Sequence, residues 1–219
     1  MVKATTNKRK KTISADQFKQ AYIEEVLTTG TNPASVFAFA KALKSNEQEF
    51  YQYFNSFRAI ERSIWADWLS NTVEGIESDE AYAEYSVREK LLAFYYTWLE
   101  TLKSNRSFVL KRFEETPKTD ATPYFLEQLK GVFEEYIHEL ILEGKDTTEI
   151  QERPFTNQYT KAFWLHFLFI TRFWANDDSH EFEKTDAAIE KSVNLAFDLV
   201  GKGPLDSIID FAKFMFQQR

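Results

Sequence analysis

Hydrophobic residues recur every three or four positions along nearly the whole chain, which is the spacing of amphipathic helices. The first apolar stripe consists of Phe18, Tyr22, Val26 and Leu27. Ser14 and Gln17 have the spacing of a capping box before this stripe, and Gly30 follows it. We therefore predict a first helix between residues 14 and 30.

Two short helical patterns follow, separated by a break. Asn32 is placed to cap a helix whose first position is Pro33, where a missing N–H costs nothing. The first apolar face consists of Val36, Phe39, Ala40 and Leu43. Lys44, Ser45 and Asn46 interrupt the pattern, and Asn46 is placed to cap a second helix carrying Phe50, Tyr51 and Phe54. Helices this short need a third helix to pack on, so the pattern predicts a helix-turn-helix resting on the first helix.

A longer helix comes next and begins at Asn55 or Ser56. Its apolar positions are Phe57, Ile60, Ile64, Trp65 and Trp68. The chain therefore starts with one helix, a helix-turn-helix and a long connecting helix.

This order and three motifs resemble the TetR family of bacterial one-component regulators. Phe39-Ala40-Lys41-Ala42 matches the family's "IA..A" pattern, and Phe50-Tyr51-x-x-Phe54 matches its "LY..F". Ser56 and the run from Phe57 to Trp65 match the start of its linking helix. The resemblance covers roughly residues 13 to 68. It implies an all-α, TetR-like fold with a basic tail (1–12), a DNA-binding domain (13–68) and a helical domain for ligand binding and dimerisation (69–219).

The resemblance also implies which residues would contact DNA. In the helix-turn-helix they are Lys41, Lys44, Ser45, Asn46, Gln48, Tyr51 and Gln52, and in the tail they are Lys8, Arg9, Lys10 and Lys11. Lys44, Ser45 and Asn46 stand where the family usually has a glycine, a small apolar residue and a serine.

Charge argues partly against DNA binding. Residues 12–63 hold five Lys/Arg and six Asp/Glu, and Glu47 and Glu49 lie at the start of the second short helix, where DNA phosphates would repel them. Any affinity for DNA would therefore depend on the basic tail. That tail fits a minor groove, and it equally fits a solvated N-terminus.

Composition limits the other functions. The net charge of −7 lies beyond residue 63, where 17 bases face 28 acids, so this part should repel nucleic acid and anionic membrane. The chain has no cysteine, which favours a reducing, cytoplasmic setting. Neither a signal peptide nor a membrane-inserted segment is expected. The three histidines lack metal-ligand spacing, and no catalytic motif stands out. We expect no enzyme activity, no metal and no cofactor; Asp177-Asp178-x-His180-Glu181 fits a solvated helix cap better than a cation site.

The remaining residues predict a helical bundle. Predicted helices include 82–102, one around Phe108 to Phe113, 124–142, 157–174 and 186–200, with a last one through Ile208 and Met215. We interpret the polar segment from Lys145 to Pro154 as a mobile loop. The aromatic residues of 157–174 surround the helix, so this helix must be covered on several sides.

By resemblance, the bundle would hold an apolar ligand and a twofold partner. The candidate ligand residues are Phe94, Trp98, Phe133, Tyr136, Trp164 and His166, and the candidate residues of the homodimer interface are Phe163, Phe167, Ile189 and Val193. His138, among glutamates, is expected to be exposed, and His166 fits a hydrogen-bonded core residue better than a sensor. The main hypothesis is a ligand-responsive regulator, more specifically a repressor; the alternative is a carrier of lipids or quinone-like molecules that no longer reads DNA.

Overall fold

The computed structural model describes residues 12–153 and 158–201, and all regular structure within these two stretches is helical. The α-helices there are α1 (Ala15–Thr29), α2 (Val36–Ala42), α3 (Glu47–Tyr51), α4 (Phe57–Glu77), α5 (Val87–Ser104), α6 (Arg106–Glu114), α7 (Glu127–Asp146), α8 (Tyr159–Ala175) and α9 (Glu183–Val200). Short 3₁₀ helices lie at Glu80–Glu84, Tyr124–Leu126 and His180–Phe182. The chain divides into two compact units, Met1–Ile64 and Trp65–Arg219. The predicted all-α fold class is confirmed.

Both ends of α1 lie where its caps were predicted. The Gln17 amide donates to the Ser14 hydroxyl at 3.2 Å, and the Ser14 amide donates to the Gln17 side chain at 3.0 Å. Gly30 ends the helix in the left-handed conformation, with φ of 76°. Because a side chain is strained at that angle, glycine is the residue that stops this helix at low cost.

The start of α2 was predicted wrongly. The helix begins at Val36, and its cap is Ser35, whose hydroxyl accepts from the Ala38 amide at 3.1 Å. Asn32 does not cap it, because its side-chain oxygen lies 3.0 Å from the Tyr22 hydroxyl and so bonds to α1 instead. The cap of α3 is Asn46, as predicted, and accepts from the Glu49 amide at 3.0 Å.

A cluster of phenylalanine rings holds the first unit together. Phe18 of α1 lies 6.2 Å from Phe39 of α2 and 5.5 Å from Phe50 of α3, measured between ring centroids. Phe57, at the start of α4, lies 5.5 Å from Phe39. Each helix thus contributes one large ring, which is how helices of five and seven residues stay folded. Leu27, which was assigned to the α1 stripe, is instead exposed.

In the second unit, α5 begins later than predicted. Residues 80–84 form a 3₁₀ helix, and α5 starts at Val87 behind a capping box made by Ser86 and Glu89. The Ser86 amide donates to the Glu89 carboxylate at 2.8 Å. The sequence Ser-x-x-Glu was the available signal for this boundary.

The segment after α7 is docked, not mobile as predicted. Glu149 caps α5, since its carboxylate accepts from the Val87 amide at 3.0 Å. Arg153 is buried and donates to the carbonyl oxygens of Leu199 and Gly201 at 2.7 Å each. Charged side chains therefore tie this polar segment to the start of α5 and the end of α9.

Candidate functional site

The helix-turn-helix presents the residues that were predicted to contact DNA. Among the described candidates, Lys41, Lys44, Asn46, Gln48, Tyr51 and Gln52 are exposed, and Ser45 is half-buried. The four tail candidates, Lys8, Arg9, Lys10 and Lys11, lie outside the described residues. Contact of any of them with DNA stays a prediction.

The turn between α2 and α3 has an unusual backbone. Lys44 adopts the left-handed conformation with φ of 58°, which costs energy for a residue with a Cβ atom. The Ser45 amide donates to the Ala40 carbonyl at 2.9 Å and closes the turn. The Ser45 hydroxyl hydrogen-bonds to the Glu49 carboxylate, so one of the two acidic side chains of α3 is turned back toward the turn.

Sequence reasoning missed one exposed aromatic residue beside this surface. Phe37 on α2 is 59% exposed, and the Lys41 ammonium lies 5.7 Å from the centroid of its ring. The signal was its position: Phe37 falls off the apolar face formed by Val36, Phe39 and Leu43.

The proposed ligand-contacting rings form packed core in the second unit. Phe94 stacks on Tyr136 at 4.9 Å and Phe133 lies 5.8 Å from Trp164, measured between ring centroids. Trp98 is fully buried, and its indole N–H donates to the Thr171 hydroxyl at 3.2 Å. None of the six candidates lines either of the two cavities described next. The expected pocket among these rings is therefore replaced by ring-to-ring packing, and ligand contact by them stays a prediction.

An open groove of about 910 Å³ lies elsewhere in this unit. Its walls come from α6, the 116–121 loop, α8 and the residues that follow α8. The apolar part consists of Leu110, Phe113, Leu165, Leu168, Phe169 and Phe173. A second cavity, wholly apolar and about 10 Å³, lies between α5, α7, α8 and α9, and holds no more than one water-sized body.

The loop that forms one wall of the groove is fixed to α8. The guanidinium of Arg172 donates to the backbone carbonyls of Lys118 and Asp120, and the indole N–H of Trp164 donates to the Ala121 carbonyl at 2.9 Å. Trp164 was predicted to touch a ligand; in the structure its polar atom is used to hold this loop.

His166 connects three helices. Its Nδ1 lies 2.8 Å from the Tyr95 hydroxyl and its Nε2 lies 2.7 Å from the Ser192 hydroxyl. Burial lowers the pKa of His166 from 6.5 to about 4, so the ring is neutral at physiological pH. This is the hydrogen-bonded core histidine that the sequence favoured over a sensor. His138 is exposed.

The residues proposed for the dimer interface are used within one chain. Phe163, Phe167, Ile189 and Val193 are at most 5% exposed, because α8 and α9 pack their apolar stripes on the rest of the bundle. Within one chain these four residues leave little surface for a partner, and their place in a dimer interface stays a prediction. The apolar residues that these two helices leave exposed are Leu165, Phe169, Leu195 and Leu199, at 47–58%. The all-round apolar pattern of α8 was the signal for Leu165 and Phe169.

Asp177 forms a buried cap between α8 and α9. One carboxylate oxygen accepts from the Ser179 amide at 2.8 Å, and the other accepts from the Thr185 amide at 2.9 Å. Burial would raise the pKa of Asp177, but these bonds and those from the two hydroxyls outweigh it and lower the pKa to about 2. The expected helix cap is thus present, although buried and not solvated.

The described residues provide neither a metal-binding cluster nor a membrane-spanning helix. Residues 12–153 and 158–201 contain no group of three or more His, Asp or Glu side chains placed to hold a metal ion. Within the same residues, no helix combines the length and the apolarity that crossing a membrane requires.

Residues 90–215 match the family model of the tetracyclin repressor-like C-terminal domain. Since this match covers more than half of the chain, the protein belongs to the TetR family. No curated protein matches the chain.

Solved structures agree with this fold. The chain is similar to the fatty acid degradation regulator FadR from Bacillus halodurans, with 20% identity, a TM-score of 0.58, and coverage of 86% of this chain and 97% of that one. It is also similar to a bacterial regulatory protein of the tetR family from Rhodococcus RHA1, with 15% identity, a TM-score of 0.50, and coverage of 85% and 96%. At these identities the likeness concerns the fold alone.

Proposed function

We propose that this protein is a dimeric transcriptional regulator that binds DNA through α2, the turn and α3, and whose affinity for DNA changes when a small apolar ligand binds the second unit. The observation that carries the proposal is the exposed side of α3 and its C-cap, where Gln48, Tyr51 and Gln52 are all accessible to a partner. Polar and aromatic side chains of this kind contact base edges and phosphates.

Ligand response would work through linkage. A ligand that prefers one arrangement of the bundle shifts the population toward that arrangement, and α4 is the helix that continues from the first unit into the second. Repression is the direction we favour: the unliganded dimer binds the operator and the ligand releases it.

For the dimer, we propose the face formed by Leu165, Phe169, Leu195 and Leu199. Single exposed apolar residues are common on protein surfaces. Four large ones on two adjacent helices form a patch, and such patches mark contacts with a partner. A twofold axis through this face would pair α8 and α9 with their copies. Because Leu165 and Phe169 also line the groove described above, the partner would cover that side of the groove.

The alternative function is a carrier of a lipid or quinone-like molecule that does not read DNA. It is favoured by one observation, the carboxylates of Glu47 and Glu49 at the start of α3, where a DNA-reading helix gains from positive charge. Glu49 is hydrogen-bonded to Ser45, but its charge remains close to the surface that would face phosphate.

The deciding experiment is a salt-dependent titration of the dimer against the duplex upstream of its own gene. For a regulator, the logarithm of the binding constant falls linearly with the logarithm of the salt concentration. Deleting residues 1–11 should reduce the slope by about one unit per lost phosphate contact. Replacing Glu47 by glutamine should raise non-specific affinity, and the matched change Glu74→Gln on α4 should not. If no duplex binds even at low ionic strength, the carrier function is the correct one.

A further inference from the structure

The buried tryptophans of the second unit differ in whether their indole N–H has a partner. Trp98 donates to Thr171 and Trp164 donates to a loop carbonyl. Trp65 and Trp174 are fully buried, and neither N–H has a protein acceptor within the described residues. A buried donor without an acceptor costs stability, so its retention calls for a reason.

The two unpaired donors lie in different surroundings. The Trp65 ring packs edge-on against Phe113 with a centroid distance of 6.0 Å, and Phe113 is a wall residue of the 910 Å³ groove. The half-buried Phe113 ring thus contacts both the Trp65 ring and the groove, while the other side of Trp65 packs on rings such as Phe125, at a centroid distance of 4.9 Å. Trp174 instead lies under Phe182 at 5.7 Å and under the Arg106 guanidinium at 4.7 Å, and it does not line the groove.

The formal charges on the walls of the groove cancel. Three cations face three anions: Lys118, Arg172 and Lys184 against Glu114, Asp177 and Asp178. Lys184 pairs with Asp178 at 3.6 Å, and hydrogen bonds from Ser179 and Thr185 use both oxygens of Asp177. Because neither sign of charge predominates on these walls, the groove offers an ion no net attraction to offset the loss of its hydration, which favours an uncharged ligand.

We propose that this groove is the ligand site of the protein, and that Phe113 turns aside to let the Trp65 N–H donate to a carbonyl oxygen on an uncharged, elongated apolar molecule. The volume lies within the range of small-molecule sites. The inference rests on the proposed ligand response and gives it a location and a ligand class. The unpaired N–H is then a donor kept ready for the ligand, and its cost in the free protein is recovered on binding.

The test uses two fluorescent naphthalenes that differ in the acceptor. The ketone 6-propionyl-2-dimethylaminonaphthalene carries a carbonyl group, whereas N-phenyl-1-naphthylamine has none. Trp65→Phe keeps a large ring and removes the N–H. We expect this variant to bind the ketone about three- to tenfold more weakly, the value of one net hydrogen bond, and to bind the amine as the wild type does.

Trp174→Phe is the matched control, because it removes the other unpaired N–H away from the groove. It should bind both probes with wild-type affinity. The proposal is wrong if Trp65→Phe binds the ketone as tightly as the wild type, if Trp174→Phe loses as much, or if the wild type binds neither probe.

A second variant covers the case in which Trp65→Phe does not fold. Phe113→Ala removes the ring that, by the proposal, must turn aside, so the affinity of this variant for the ketone should rise several-fold; an unchanged or lower affinity contradicts the proposal. Probe binding is measured without DNA. The proposal for the groove can therefore be wrong even if the salt-dependent titration shows DNA binding, and it can be right even if that titration shows none.

Discussion

The hydroxyl of Tyr95, deep in α5, lies 2.8 Å from Nδ1 of His166 on α8. The proton positions follow from the third partner. The Ser192 hydroxyl donates to the Ala188 carbonyl at 2.6 Å, so its oxygen accepts from the imidazole Nε2–H, and Nδ1 accepts from Tyr95. Both ring nitrogens are thereby satisfied in the neutral form, and a second ring proton would meet a donor.

This arrangement predicts a loss of stability in mild acid. Because the pKa of His166 is about 4 in the folded chain and near 6.5 in the unfolded chain, the unfolded state takes up the proton first as the pH falls. The stabilisation is complete above about pH 6.5 and declines toward pH 4. Between pH 7 and 5 the wild type should lose about 2 kcal/mol through this group, measured by urea unfolding. His166→Gln should remove that part of the pH dependence; an identical decline in the variant would contradict the assignment.

Lys44 should be a site at which glycine stabilises the protein. Its φ of 58° is strained for lysine and free for glycine. We expect Lys44→Gly to raise the free energy of unfolding by roughly 0.5–1 kcal/mol, measured by thermal melting. The reverse change at Gly30, Gly30→Ala, meets no atom within 4 Å but has φ of 76°, so it should lose about 1 kcal/mol. Equal effects of one sign from both variants would refute the backbone argument.

The contribution of Asp177 to the free energy of unfolding should be largest at neutral pH and smallest in acid. Its pKa of about 2 in the folded chain lies below the ordinary 3.8, so its stabilisation is present above about pH 4 and is lost as the pH falls toward 2. Asp177→Asn should cost about 1–3 kcal/mol at pH 7, since the amide replaces one carboxylate acceptor by a donor. The gap between wild type and variant should narrow from pH 4 to pH 2. A gap independent of pH would mean that the carboxylate charge has no part in the cap.

The proposed dimer face can be tested by introducing a single charged residue into it. Leu195→Lys places an ammonium on the proposed interface of α8 and α9, where burial against a partner would be costly. We expect this variant to sediment as a monomer at micromolar concentration. Leu142→Lys is its control, because Leu142 is 42% exposed on α7, a helix that contributes no residue to the proposed face; this variant should keep the wild-type mass. A wild type that sediments as a monomer would contradict the proposed interface.

Local patterns were enough for much of the first unit. Ser14 with Gln17, Gly30 and Asn46 each act within four residues of the group they cap, so their spacing in the sequence already contains the interaction. The same locality explains why the helix-turn-helix and its family could be recognised. The prediction that Asn32 caps α2 was wrong because the side chain of Asn32 instead bonds to Tyr22, ten residues away in the chain, which a local pattern does not contain.

In the second unit, the sequence by itself determined that helices form and which stripes are apolar, since both follow from the 3.6-residue period. It did not determine which rings meet. Phe163 and Val193 read as suitable for a partner, yet packing within the chain buries them and leaves Leu165 and Leu195 outside. Likewise, the sequence predicted a mobile loop from Lys145 onward, whereas in the structure Glu149 caps the start of α5 and Arg153 binds a carbonyl at the end of α9. Such choices depend on contacts between residues far apart in the chain, and only the tertiary structure decides them.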